Sequence, residues 1–406
     1  MSADPRQRAG DPRPVVRALG GVLLFGLPML AGLVIAGVTI PGSSLLPWRP
    51  AMIDLDVYLR TGSLLLQGRD FYDAEGLPWI YPPFAALFTV PLALVPQVVA
   101  QVCWIAITVA LLMAMLHRLG LSGWRLSLAA AATIGLVEPV RETMGFGQLG
   151  VLLVSLAVLD TMPGRRLLPR RVLPEGTLVG LATAVKLTPA TVAAYQFFAG
   201  RRKPGLVAFF TFLGATGLAF LVLPQGSLHY WGGLISGDSG INSGIIFKTN
   251  QSVMGVWARL FGELSRGGLI ASVLVAVAGI ACAVLVHRAG HERLAIVLAG
   301  YTSLLASPIS WSHHYVWVVP LAMVLLTERQ LARSARILGL AYVAWTVVAP
   351  FRSLPGGNGE ELTYTPLQHL LANGGVALGV AFVLWCGLLA ARRAGDSTAL
   401  STGVLR

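Results

Sequence analysis

Charge is scarce in this chain. Asp, Glu, Lys and Arg make up 12% of its 406 residues and hydrophobic residues 55%, with a mean hydropathy of +0.72. So few charges exclude an ordinary water-soluble domain and make a lipid bilayer the chain's solvent. Cysteine is sparse too. Cys103, Cys282 and Cys386 each lie inside an apolar run without CxxC spacing, which argues against a disulfide framework and a structural zinc site. Acidic residues number 18 against 30 Lys and Arg, for a net charge of +12. The basic residues form short clusters between apolar runs and no continuous, aromatic-interleaved face, so they read as topology signals rather than a nucleic-acid surface. The first apolar run lacks a small-residue cleavage site and reads as a retained span behind an Arg-rich cytoplasmic tail, residues 1–17. No internal repeat is visible, which weakens an inverted-repeat transporter reading.

Crossing a ~30 Å hydrocarbon layer takes ~20 helical residues. Apolar stretches of that length lie near 18–40, 98–116, 204–223, 266–286 and 369–391. Shorter runs near 126–137, 148–160, 176–188, 190–200, 294–306, 315–327 and 337–350 span only if tilted, extended or packed inside a bundle. With one crossing per run, HRLGLSGWR at 117, PGRRLLPRR at 163, GRRK at 200, HRAGHER at 287 and ERQLARSAR at 328 share one side with both tails. The positive-inside rule assigns that side to the cytoplasm and implies an even count of crossings, taken as twelve. The expected fold is an all-α polytopic membrane protein, one transmembrane domain over 18–391 with a cytoplasmic tail at 392–406.

The other loops, 41–97, 138–147, 224–265, 307–314 and 351–368, hold nearly all the unusual polar residues. This segregation points to a site facing outward. In the first loop, Asp54 and Asp56 precede Tyr58, an amphipathic stretch LRTGSLLLQG, GRDFY, and Tyr81 in YPPF. A carboxylate at the membrane edge deprotonates an acceptor hydroxyl, or two converging carboxylates hold a divalent cation; the plainer alternative is a solvated loop or helix cap. Adjacent His313 and His314, after Trp311, suit a phosphate, a sugar hydroxyl or a proton shuttle. Their side chains diverge by about 100° on a helix, so at most one faces a given ligand. Glu138, Arg141, Glu142 and Gln148 cluster at another turn, and Lys186 stands in an apolar hairpin. Intramembrane ionisable groups are functional candidates by default, with a structural salt bridge from Lys186 to Glu138 or Glu142 as the alternative. His229-Tyr230-Trp231, then Lys248, Asn250, Gln251 and Arg259, add hydrogen-bonding groups and aromatic rings.

DLDVY with GRDFY and YPPF, then EPVRETMGFGQLGVLL, VKLTPA, NQSVMGVWAR and SPISWSHHYVW, occur in an order that resembles the actinobacterial polyprenol-phosphate-mannose-dependent α-1,2-mannosyltransferases. These belong to glycosyltransferase family 87, of the membrane GT-C architecture. The likeness runs from about residue 50 to 325, and Gly150 stands where Asn often follows in the family. The resemblance implies a GT-C fold, a polyprenyl phosphomannose donor, a glycolipid acceptor extended outside the cytoplasmic membrane, and an aspartate base in the first external loop. Asp54 matches the leading aspartate and Asp56 a more variable place. Phosphatidylinositol mannoside is the preferred acceptor, with lipomannan branching and arabinofuranosyl transfer as neighbouring activities. Lys186, Arg141 or a histidine of the 313–314 pair would hold the donor phosphate. A monophosphate leaving group needs neither metal nor cofactor. A lipid-linked sugar transporter is the competing class, and it explains the paired acids less well.

Overall fold

A computed structural model describes residues 13–72, 74–236, 244–262 and 265–401. Residues 1–12 and 402–406 of the expected tails lie outside the described residues. The fold is all-α; the strands among the described residues are a two-residue pair, Ser44–Leu45 against Trp48–Arg49.

Among the described residues, five helices are long and apolar enough to cross a membrane: Gln97–Arg118, Arg202–Val222, Arg266–Arg288, Arg333–Ser353 and Pro366–Arg393. A sixth candidate is a bent pair, Glu138–Phe146 and Gly150–Thr161, turned by 120°. Gly147 makes the turn: it caps the first helix in the left-handed region at φ 70, which L side chains avoid. A Cβ there would also stand 2.7 Å from Leu55 Cβ. The bend therefore brings the Gln148 corner against the start of the helix Ile53–Leu66.

The runs at 176–188 and 190–200 do not each cross. They form the helices Thr177–Val185 and Ala190–Phe198, whose nine-residue arms rise about 13.5 Å, under half the hydrocarbon thickness. Glu175, before the first arm, bonds Gln196 in the second at 3.3 Å and Arg201 just beyond it at 2.6 Å, so the two outer ends lie together. Both arms lean on the helix Arg202–Val222. A Cβ on Gly180 would come within 2.4 Å of the Ala208 carbonyl oxygen, and one on Gly205 within 2.9 Å of Phe197 Cβ. The hairpin enters and returns, with Lys186 at its tip.

The helix Glu292–Ala306 occupies the centre, with every residue from Leu294 to Leu305 buried. A helix apolar on all sides belongs in a core. Gly300 lets the Trp317 ring lie against it, an added Cβ meeting that ring at 2.2 Å. After this helix the chain forms the 3-10 turn Ser312–Trp317 and the helix Val318–Thr327. That turn carries the two histidines to the level of the Lys186 tip.

Candidate functional site

Asp54 and Asp56 sit in the first turn of the helix Ile53–Leu66. Two helical positions are about 200° apart, so the two carboxylates part company. Asp56 is exposed and accepts from Gln97 Nε2 at 2.9 Å. Asp54 turns the other way and accepts from Gln148 Nε2 at 2.8 Å. They do not converge, which removes the reading in which both acids grip one cation.

Gln148 is fixed by what its carbonyl receives. Its Oε1 accepts from Tyr58 at 3.3 Å, Tyr81 at 3.2 Å and the Leu149 amide at 3.0 Å. With the carbonyl saturated, the amide NH2 must point at Asp54. Tyr58 and Tyr81 thus act on the carboxylate through Gln148. Burial pushes the Asp54 pKa up from 3.8 to about 7, while the Lys186 charge and the Gln148 hydrogen bond pull it down.

Asp54 borders a cavity of about 550 Å³ whose wall includes Tyr81, Gln148, Lys248, Trp311, His313 and His314. Lys186 approaches from the hairpin: its Nζ lies 3.0 Å from His314 Nε2 and 5.4 Å from the centre of the Tyr81 ring. His314 therefore works with Lys186. The His313 ring packs against Phe146 with 5.1 Å between ring centres, and its buried Nε2 has no partner.

Lys186 does not bridge to Glu138 or Glu142. Their partner is Arg352, a residue the sequence reading passes over. Arg352 Nη1 lies 2.9 Å from Glu138 Oε1 and Nη2 3.0 Å from Glu142 Oε2. Ser312 Oγ also donates to Glu138 at 2.8 Å. Arg352 lines the cavity, so two carboxylates exposed by only 2% and 1% hold its guanidinium there. Its signal in the sequence is a cation directly after the apolar run 337–350, on the side away from the arginine-rich loops.

The remaining candidates divide. Arg141 lies 3.8 Å from Glu142, beside the buried cluster and off the cavity wall. Lys248 donates to the carbonyls of Arg352, at 3.3 Å, and Leu354, so it braces the Arg352 segment. Asn250 is a structural clamp: it donates to Ile245 and Pro308 and accepts from the Ser310 amide. Gln251 donates to Lys248 and Ala372 carbonyls. Arg259, 1% exposed, gathers the carbonyls of Phe247 and Asn250, each at 3.0 Å. His229 is outside the cavity, stacked on Tyr72 at 4.8 Å.

The cavity therefore has the Asp54 carboxylate on one wall and the Arg352 guanidinium on another, with Lys186 hydrogen-bonded to the wall residue His314. A nucleophile and an anionic leaving group would meet between them, the demand of group transfer from a phosphate-linked donor. Residues 79–308, more than half of the chain, match the family model described as Glycosyltransferase family 87, and the chain belongs to that family.

A polyprenol-phosphate-mannose-dependent alpha-(1-2)-phosphatidylinositol mannoside mannosyltransferase of Mycobacterium tuberculosis is 31% identical, covering 87% of this chain and 89% of its own. Its Mycolicibacterium smegmatis counterpart is 30% identical over 89% of each chain. A polyprenol-phosphate-mannose-dependent alpha-(1-2)-phosphatidylinositol pentamannoside mannosyltransferase of M. tuberculosis is 32% identical over 77% of this chain and 75% of its own. No solved structure matches the chain.

Proposed function

We propose that this protein transfers mannose from polyprenyl phosphomannose to the 2-hydroxyl of a mannose on a phosphatidylinositol mannoside, with inversion from β to α. The observation that carries the mechanism is Asp54, held by Gln148 at 2.8 Å on the wall of the cavity that also receives His314 and Arg352. The two mannosyltransferases that match nearly the whole chain support the donor and the acceptor class.

Asp54 takes the proton of the acceptor hydroxyl as its oxygen attacks the anomeric carbon. The C–O bond to phosphate breaks on the opposite face, and the bonding pair leaves with the phosphate. Lys186 and Arg352 receive the negative charge that collects there, doing the work assigned elsewhere to a divalent ion. The proton ends on Asp54, the new bond is α, and no covalent intermediate forms.

In the membrane, the arginine-rich end lies in the cytoplasm and the cavity opens to the periplasm of the cytoplasmic membrane, in keeping with the positive-inside rule. Twelve passages of chain, counting the two arms of the 177–198 hairpin as a paired entry and return, bring both termini to the cytoplasmic side. The proposed step is tetramannoside to pentamannoside.

Purified protein with polyprenyl phosphomannose and a phosphatidylinositol tetramannoside should yield a product one hexose heavier by mass spectrometry. Asp54→Asn should abolish it, Asp56→Asn should leave it, and chelator should have no effect. Loss confined to Asp56→Asn would move the base two residues. Movement of the donor lipid across a vesicle without a new glycosidic bond would replace transfer by transport.

A further inference from the structure

A second cavity of about 490 Å³ lies at the arginine-rich end, remote from the Asp54 site. The loop 163–173 closes it by folding back on the last turn of the helix Gln97–Arg118. The Arg165 amide donates to the Arg118 carbonyl at 3.2 Å, and a Cβ on Gly164 would meet that same oxygen at 2.0 Å. The floor is the foot of the Lys186 hairpin.

The charges around this cavity do not balance. Five guanidinium groups line it, against the carboxylates of Asp160, Glu175 and Glu292. All three carboxylates are already engaged. Asp160 is 2% exposed; it pairs with Arg171 and accepts the Gly176 and Val179 amides, both at 3.0 Å. Glu175 and Glu292 each hold Arg201 at 2.6 Å. Arg118, Arg166 and Arg170 pair with no carboxylate among the described residues. Arg118 lies close enough to Arg171 and Arg166 for their charges to repel it, and they outweigh the attraction of Asp160. Its Nη1 donates to Met162 at 3.2 Å, and its buried Nε has no hydrogen-bond partner among the described residues. Leaving a charged donor buried and unpaired is costly, so this wall favours a group of opposite charge.

The same loop supplies an apolar rim. Leu167, Leu168 and Val172 are 52%, 58% and 76% exposed, and they alternate with the unpaired arginines in RRLLPRRV. Planar guanidinium forks match phosphate oxygens, and exposed leucines beside them match acyl chains.

We propose that this cavity binds a phosphate-bearing anion and that its source is the headgroup of an anionic phospholipid. The phosphate sits among Arg118, Arg166 and Arg170, and the acyl chains lie over Leu167, Leu168 and Val172. This site is independent of the transfer chemistry, but it ties the 163–173 loop to the foot of the hairpin that carries Lys186.

The full chain in detergent, titrated with dioctanoyl phosphatidylglycerol, dioctanoyl phosphatidylcholine or inorganic phosphate, tests this by thermal unfolding. Phosphatidylglycerol should raise the midpoint saturably, at a half-saturating concentration at least about tenfold below that of phosphatidylcholine, as expected when charged hydrogen bonds distinguish them. The Arg166→Gln/Arg170→Gln pair, both on the exposed loop, should erase that preference while keeping the lipid-free midpoint; Arg118→Gln should do so independently. Equal response to the two lipids, or a preference that survives both sets of substitutions, would overturn the site. Inorganic phosphate matching phosphatidylglycerol at equal concentration would keep the anion and overturn the lipid.

Discussion

Lys186 Nζ stands 3.0 Å from His314 Nε2, joining the tip of a short helical hairpin to a 3-10 turn 128 residues further along the chain. At that distance one nitrogen donates and the other accepts, so a neutral imidazole is what an ammonium at Lys186 favours. The pair holds one cation 5.4 Å from the centre of the Tyr81 ring, close enough to act on the Asp54 charge.

Removing that cation should therefore be visible at Asp54. In Lys186→Met, kcat/KM for mannosyl transfer should fall by about 10²-fold or more, as when a preorganised charge is lost. The surviving activity should have its pH profile shifted to the alkaline side, because Lys186 lowers the Asp54 pKa and its loss lets that value rise. Lys186→Arg should restore part of both.

In the parent protein, Asp54 in its proposed role as base works only when unprotonated. Burial holds Asp54 at about 7, so kcat/KM should rise with pH and level off above that value. Near pH 5 it should be roughly a hundredfold below the plateau, since each pH unit below the pKa removes about nine-tenths of the base. A profile already flat from pH 5 upward would remove Asp54 from the role.

Arg352 makes a different prediction, about folding as much as about activity. Arg352→Met leaves the buried Glu138 without its cation and Glu142 with only Arg141 at 3.8 Å, which should cost about 3–5 kcal/mol and lower the thermal midpoint. Adding Glu138→Gln and Glu142→Gln should recover much of that stability without recovering transfer. An Arg352→Met protein as stable as the parent would show that the guanidinium serves only the cavity.

The hairpin can be probed away from the chemistry. Gly180→Val places a side chain where even a Cβ stands 2.4 Å from the Ala208 oxygen. Overpacking of this kind costs about 1–3 kcal/mol, and with Lys186 displaced, transfer should fall while the Asp54 pH dependence persists. Gly232→Ala, which meets nothing within 4 Å, should be neutral in both assays.

Long apolar runs locate the spanning helices directly: four of the five long runs become helices of spanning length, and the run at 18–40 becomes the helix Arg13–Ala36. Short runs are ambiguous for a physical reason. Nine apolar residues look the same whether they cross half a bilayer and stop or continue into a partner, and it is the contacts of Glu175 with Gln196 and Arg201 that reveal the return. Site legibility follows the same division. Asp54, Lys186 and the histidines stand out because ionisable groups in apolar surroundings are rare. The choice between Asp54 and Asp56 needs a helix phase and a partner, Gln148 or Gln97, that the motif does not contain. Arg352 escapes because its meaning lies in two glutamates about 210 residues away, and a single sequence carries no record of such pairings. Asn250, Gln251 and Arg259 show the opposite ambiguity: polar residues beside a site suggest ligands, while their side chains here hydrogen-bond the backbone of neighbouring loops.

The hairpin arms also make depth a countable quantity. Lys186 stands on a post nine residues tall, rooted in the Arg201 ion pairs. One residue added to the first arm would raise the ammonium about 1.5 Å and swing it by about 100°, carrying it away from His314 altogether. The reach of the reaction chamber into the bilayer cannot be tuned in small steps by lengthening this post. Adapting the chamber to a bulkier substrate falls instead to the loops above it, where a change in length carries no rotation of the charge below.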